Sequence, residues 1–334
     1  MSAAKRPKLE VAMEPVLPED LTEDVPLIEA YTGIILDAKS ISRMVVDLNS
    51  TIPISELAHL KRVRAKEILL FPTTFTTPDK VIEVLKRKGF NVEWISDQIN
   101  VVQVAEVPPK TKKQYDVVNK LWPCNFHSNK YLEKLCTNSL FNVSELEDHK
   151  RFMRMCIDVS KHGIKAGAIV VDPKTRSVVA VGFDKTSENP NKHAVMVAID
   201  NVARTQDGGA WEPIEDGDGA SLAGIPGNIL DDLNANYPGN SFGASCYKGK
   251  DEIESPDDGP YLCTNYYVYV THEPCIMCAM ALIHSRAKRV FYGTSVPEGA
   301  LGTACKIHTV KDLNHHYEAF RGLLKEECER LNGS

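Results

Sequence analysis

The chain has 334 residues, 43% of them hydrophobic and 25% charged, the proportions of an ordinary soluble globular protein. At about 150 residues per domain, that length predicts about two domains, each able to bury a core without disulfides. With 39 basic and 45 acidic side chains the net charge is −6, which argues against a nucleic-acid binder unless the charge is segregated along the chain.

A bilayer span needs about 20 mostly apolar residues. The longest apolar uncharged stretch in the second half, Pro274 to Ser285, is too short. Lys5, Arg6, Lys8 and Glu10 near the start leave no room for a secretory apolar segment. Nine cysteines, an odd number without a signal, point to a reducing compartment, cytosol or nucleus, with thiols buried or bound to metal.

Residues 1–26 hold four prolines, a basic cluster Lys5-Arg6-Pro7-Lys8 and then an acidic run, and read as a disordered tail. The basic cluster fits a nuclear localisation signal as well as a solvated tail, which makes nucleus and cytoplasm the expected location. Residues 27–140 read as a small α/β or α+β domain. Its expected elements are a strand at Tyr31–Leu36, a helix capped by Ser55 with Leu57, Leu60 and Val63 inward, and a strand at Ile68–Phe71. Thr77-Pro78 then opens a helix with Val81, Ile82 and Leu85 inward, cations Lys86-Arg87-Lys88 in its last turn and Gly89 closing it. Val101–Val107 is a further strand.

Residues 141–334 form the second expected domain. Ser144-Glu145-Leu146-Glu147 matches a capping box and starts a helix with Met153, Cys156 and Ile157 on one face, ending at Gly163. A strand pair follows, Ala168–Val171 and Val178–Gly182, with a turn at Asp172-Pro173, and then a helix from about His193 to Arg204. Residues 207–260 are rich in Gly, Pro, Asp and Asn and read as a long flexible insertion. Order returns with a strand at Tyr266–Thr271, a helix from Cys275 to about His284, a strand at Arg289–Tyr292 and a final helix around Tyr317–Leu331.

Chemistry concentrates at His193-Ala194-Val195 and, about eighty residues later, at Pro274-Cys275-Ile276-Met277-Cys278. Cysteines at i and i+3 on one helical turn put both sulfurs on one side. A helix N-terminus favours thiolate there. A histidine opening another helix adds a nitrogen, and three such ligands plus a water make the open coordination of catalytic zinc. A lone Cys-x-x-Cys also fits a redox-active or buried pair, and a lone His a structural ring. The order strand, Pro-Cys-x-x-Cys, helix, with His opening an upstream helix, favours the metal.

On these residues the chain resembles the zinc-dependent nucleobase deaminases, whose signature is His-x-Glu…Pro-Cys-x-x-Cys. Thr271-His272-Glu273-Pro274-Cys275-Ile276-Met277-Cys278-Ala279-Met280-Ala281-Leu282, Arg289-Val290-Phe291-Tyr292-Gly293, Gly299-Ala300-Leu301-Gly302 and Leu313-Asn314-His315 are similar to the tRNA adenosine deaminase branch. The resemblance covers about residues 145–330, outside the insertion, and implies a cytidine-deaminase-like three-layer α/β/α domain binding Zn2+ through His193, Cys275 and Cys278.

One position departs from that pattern. The mechanism needs a carboxylate two residues after the ligand histidine, and Val195 stands there. Loss of a general acid/base typically costs about 10²- to 10⁴-fold, and this one serves several proton transfers. Glu273 is the obvious substitute acid, although an acidic residue before Pro-Cys belongs to the family motif itself. Asp184 stands near where the family often has an Asn contacting substrate. The resemblance is therefore closest to the non-catalytic subunit of the eukaryotic heterodimeric enzymes that convert adenosine to inosine at the tRNA wobble position. It implies a catalytic partner with an intact His-x-Glu, tRNA as second partner, no membrane, and no catalytic residue in this chain. An autonomous nucleoside or nucleobase deaminase with a displaced acid and a zinc-stabilised RNA-binding scaffold are the rival readings.

Other residues carry weaker claims. His308, His315 and His316 are candidates to line a channel or to serve packing, Cys246, Cys263 and Cys305 lack ligand spacing, and Tyr266, Tyr267 and Tyr269 are strand formers. Three basic clusters in residues 27–140 are candidate tRNA contacts: Lys61, Arg62, Arg64 and Lys66; Lys86, Arg87 and Lys88; Lys110, Lys112 and Lys113. Residues 207–260 hold 12 acidic and 2 basic side chains, so the remainder is mildly basic at +4.

Overall fold

The computed structural model describes residues 13–211, 221–245 and 261–332. Lys5-Arg6-Pro7-Lys8 and Cys246 lie outside these residues. The chain divides into two compact units. Glu19–Leu140 form one, and residues up to Pro18 join those from Phe141 onward in the other.

The tail expected over 1–26 is not borne out for its described part. Strand β1 (Glu14–Val16) pairs antiparallel with a strand near the C-terminus, and Met13, Val16 and Val25 are buried. Its proline sits at a sheet edge, where a missing N–H is tolerated. Average composition concealed these isolated apolar residues.

The unit Glu19–Leu140 contains α1 (Glu19–Thr22), β2 (Leu27–Ile35), α2 (Ile41–Thr51), β3 (Val63–Arg64), β4 (Glu67–Pro72), α3 (Val81–Arg87), β5 (Ile95–Ala105), α4 (Lys112–Leu121) and α5 (Lys130–Cys136). The strands form an antiparallel sheet in the order β3-β4-β2-β5. Alternation in β4 feeds two cores. Ile68 and Leu70 pack with Met44 and Leu48 of α2 and Val81 and Leu85 of α3, whereas Leu69 packs with Val118 of α4 and Trp122. The helix expected from Ser55 is only a 3-10 turn, Ser55–Leu57, because the chain turns at Ala65 (φ 51°) to start a hairpin of β3 and β4. The helix expected from Thr77 begins with a 3-10 turn, Pro78–Lys80, before α3, and Gly89 follows at φ 90°.

The other unit continues with α6 (Val143–Ser160), β6 (Gly167–Asp172), β7 (Ser177–Phe183), α7 (Ala194–Arg204), α8 (Gly227–Asn236), β8 (Ser241–Phe242), β9 (Tyr267–His272), α9 (Ile276–His284), β10 (Arg289–Thr294), β11 (Glu318–Arg321) and α10 (Lys325–Glu329). Asn142, rather than Ser144, caps α6, in a reciprocal box with Glu145. Among the described residues the strands form a mixed seven-stranded sheet, β1-β11-β10-β9-β6-β7-β8. Val170, Val268, Val270 and Val290 pack with α7 and α9. Tyr269 and Phe291 point the other way, to His149, and Tyr269 also meets Phe152 of α6. The sheet is thus covered on both faces.

Two expectations need correction here. Residues 221–245 of the expected flexible insertion are structured. Helix α8 buries Ile229, Leu230 and Leu233, Tyr237 donates a hydrogen bond to Asp158 of α6, and β8 pairs parallel with β7. Of the expected helix over Tyr317–Leu331, only the second half is helical, and the first half is a strand and a turn. Ala319 and Phe320 are both buried in β11, and Gly322 (φ 86°) and Leu324 (φ 51°) break any continuous helix before the short α10.

Candidate metal centre

Strands β7 and β9 both run antiparallel to β6, so they share a direction and their carboxyl ends lie on one edge of the sheet. His193 follows β7 and caps α7, and Cys275 follows β9 and caps α9. Gly182 allows α7 to lie close on β7, since a Cβ there would fall 2.3 Å from the Ala194 carbonyl oxygen. Cys278 is buried on the first turn of α9. The ligand atoms of His193, Cys275 and Cys278 lie within 4.8 Å of one another, a group able to hold a metal ion.

The donor chemistry fits zinc. Cys275 Sγ is 3.7 Å from His193 Nδ1. With Zn–S near 2.3 Å and Zn–N near 2.0 Å, a tetrahedral S–N edge is about 3.5 Å. The Cys275 thiol is held down to about 5, first by a hydrogen bond from Cys278, with help from the Cys278 and Met277 amides at the start of α9 and from His193. Cys278 is pushed up by the same sulfur–sulfur hydrogen bond, by burial and by the Cys275 charge. A metal ion held there would take both sulfurs as thiolates.

Val195 is 2% exposed and belongs to the apolar cluster that also contains Ala198, Cys278 and Leu282. Glu273, the other candidate acid, is buried and both its oxygens are engaged. It accepts hydrogen bonds from the Leu301 N–H (2.9 Å), the Thr303 N–H (3.0 Å) and the Thr303 hydroxyl. Sequence reasoning missed this, because those partners lie about thirty residues on and two of them are main-chain groups. Asp184 is used locally, accepting from the Thr186 N–H and hydroxyl through one oxygen.

The remaining candidates disperse. His308, His315 and His316 each bond a main-chain carbonyl, of Val16, Ala287 and Val310. Cys263 is buried and Cys305 exposed, and neither joins the metal group. Tyr267 and Tyr269 lie in β9, directly after Tyr266.

Of the basic residues, Arg62 must be withdrawn from the expected tRNA contacts. It is 8% exposed, with its guanidinium donating to Asn49 Oδ1 and to the carbonyls of Ile52, Leu69 and Leu70. Burial lowers its pKa to about 10, so it stays charged at neutral pH and serves as an internal brace. Arg64 is half-buried over the Trp122 ring and paired with Glu67. Lys61, Lys66, Lys86, Arg87, Lys88, Lys110, Lys112 and Lys113 are exposed. Lys110 pairs with Asp20 and Lys112 with Asp116.

Residues 146–294 match the model of the cytidine and deoxycytidylate deaminase zinc-binding region. The chain is 36% identical over 338 residues to "Probable inactive tRNA-specific adenosine deaminase-like protein 3" of Danio rerio, covering 95% of this chain and 93% of that protein. It is 35% identical to the Homo sapiens protein of the same name, over 95% and 91%. It is 27% identical to "tRNA-specific adenosine deaminase subunit TAD3" of Saccharomyces cerevisiae, over 87% and 82%. With its zinc-type ligand triad in place and this similarity running over nearly its whole length, the chain belongs to the family of inactive tRNA-specific adenosine deaminase-like proteins 3, within the cytidine and deoxycytidylate deaminase superfamily.

Proposed function

We propose that this chain is the non-catalytic subunit of a heterodimeric deaminase that converts adenosine to inosine at the wobble position of tRNA anticodons. One observation carries the proposal. The ligand triad His193, Cys275 and Cys278 is assembled, while the position two residues after His193 holds Val195, which has no proton to give or take. Zinc, when bound, supplies charge and a fixed four-coordinate geometry. Held by His193, Cys275 and Cys278, it would tie together the first turns of α7 and α9. Val195 fills apolar space beside them, in the position of the family's catalytic Glu.

Two surfaces support the partner reading. The outer side of α9 is apolar, with Ile276 52% exposed and Met277 and Met280 partly so, the character of a face that meets protein. In the unit Glu19–Leu140, Lys86, Arg87 and Lys88 end α3 with exposed cations suited to phosphates, and Lys61, Lys66 and Lys113 add further exposed charge. The words "tRNA-specific" and "subunit" in the relatives' names agree with both surfaces.

The test is co-expression with a catalytic subunit carrying an intact His-x-Glu, followed by an inosine assay on tRNA. Activity should require both chains. Full activity of the partner alone, or nucleoside deamination by this chain alone, would overturn the proposal.

A further inference from the structure

Glu273 stands two residues before Cys275, and its carboxylate accepts hydrogen bonds from the segment Gly299–Thr303. Oε1 accepts from two amides and Oε2 from the Thr303 hydroxyl. Gly299 lies flat against the same carboxylate, where a Cβ would fall 2.2 Å from Cδ, so only glycine leaves room. The segment then returns to the ligand. Gly299 forms an antiparallel bridge with Cys275, and the Ala300 N–H donates to the Pro274 carbonyl at 2.8 Å. The Glu273 N–H itself is fixed on the Thr294 carbonyl.

These contacts close a ring: carboxylate to loop, loop to the main chain at Pro274–Cys275, and that main chain back to Glu273. From this ring we infer that Glu273 is a positioning residue, holding the 299–303 segment as a splint behind Cys275 and so setting where that sulfur sits for the metal. It acts through main-chain geometry and transfers no proton. The inference rests on the zinc reading above for its consequence, but the splint itself is a property of the protein.

Two variants separate the roles. In Glu273→Gln the amide oxygen can keep both main-chain donors and the amide nitrogen can donate to the Thr303 hydroxyl. In Glu273→Ala every contact is lost. Substituting a residue that orients a metal ligand typically weakens metal binding by about 10–100-fold. The expected result in the full-length chain is zinc affinity, by chelator competition, within a few-fold of wild type for Glu273→Gln and at least about tenfold weaker for Glu273→Ala. Equal affinity for Glu273→Ala and wild type would overturn the inference, as would an equally large loss in both variants.

A second readout uses no metal. Alkylation of Cys275 by iodoacetamide, located by peptide mass, should be faster in metal-free Glu273→Ala than in wild type and unchanged in Glu273→Gln. Wild-type protein that takes up no zinc would sink the zinc reading, while the alkylation rates would still decide the splint. Unchanged alkylation in a folded Glu273→Ala chain would refute the splint even if zinc binds.

Discussion

Cys275 Sγ and His193 Nδ1 stand 3.7 Å apart although 82 residues separate them in sequence. They meet because each caps a helix at the same edge of the sheet. A metal gripping both should therefore add to folding stability. Free zinc at a hundred times its dissociation constant stabilises a native state by about 2.7 kcal/mol. Chelation should lower the melting temperature of the wild type, and His193→Ala should both abolish zinc uptake by metal analysis and remove the response to chelator. A chelator shift that survives in His193→Ala would place the metal elsewhere.

Val195→Glu tests whether the site lacks only its acid. Because Val195 is buried in an apolar cluster, a carboxylate there has no evident partner, and the variant should be destabilised by at least about 3 kcal/mol. For a unit of this size that corresponds to a melting temperature roughly 6–12 °C lower. With the partner's own glutamate removed, no inosine should form. Clear inosine formation would show that the pocket still accepts substrate.

The two kinds of arginine and lysine should separate cleanly. Charge reversal of Lys86, Arg87 and Lys88 should leave the melting temperature within about 1 °C, since surface changes of this kind have small effects on stability. It should weaken tRNA binding and flatten its salt dependence by up to about two to three contacts. Arg62→Ala should do the reverse, destabilising by about 3 kcal/mol because buried carbonyls lose their donor. Filter binding across a salt series and thermal melts read both effects.

His149 is buried among Phe141, Phe291 and Tyr269 and shares a 2.7 Å hydrogen bond with the Tyr269 hydroxyl. Burial, and then the Arg289 charge, push its pKa down to about 4. The unfolded chain therefore binds a proton at this ring between about pH 6.5 and 4 that the folded chain refuses. Stability should fall as pH drops through that window, by up to about 1.4 kcal/mol per unit, and be independent of this ring above it. His308, also lowered by burial, adds a slope of the same sign. His149→Leu should be less stable at pH 7 and show a shallower acid slope in urea melts, and an unchanged slope would clear His149.

The grouping of His193, Cys275 and Cys278 was legible because its signals are local. Two cysteines at i and i+3 share a turn wherever the helix packs, and strand-to-helix transitions mark the ends where ligands gather. The role of Glu273 was not legible, since a carboxylate that bonds distant amides looks in sequence like one that moves protons. Arg62 misled for the same reason, because a sequence shows charge and not burial. In the 207–260 segment, Ile229, Leu230 and Leu233 carry helical spacing, but the surrounding Gly, Pro and Asp outweighed them. Around Tyr317–Leu331 the opposite happened, and apparent helical spacing hid a four-residue strand.

The first strand has a practical consequence. Since β1 lies on β11 and Val16 reaches the His308 ring through its carbonyl, one compact unit is written in two pieces of sequence with Glu19–Leu140 between them. No single cut can separate the two units. A fragment starting at Phe141 would lack its outermost strand and bare the edge of β11, the kind of edge that recruits other chains. A clean dissection must instead excise 19–140 and rejoin the flanks, so that residues 13–18 travel with the candidate metal centre rather than with the unit that follows them in the chain.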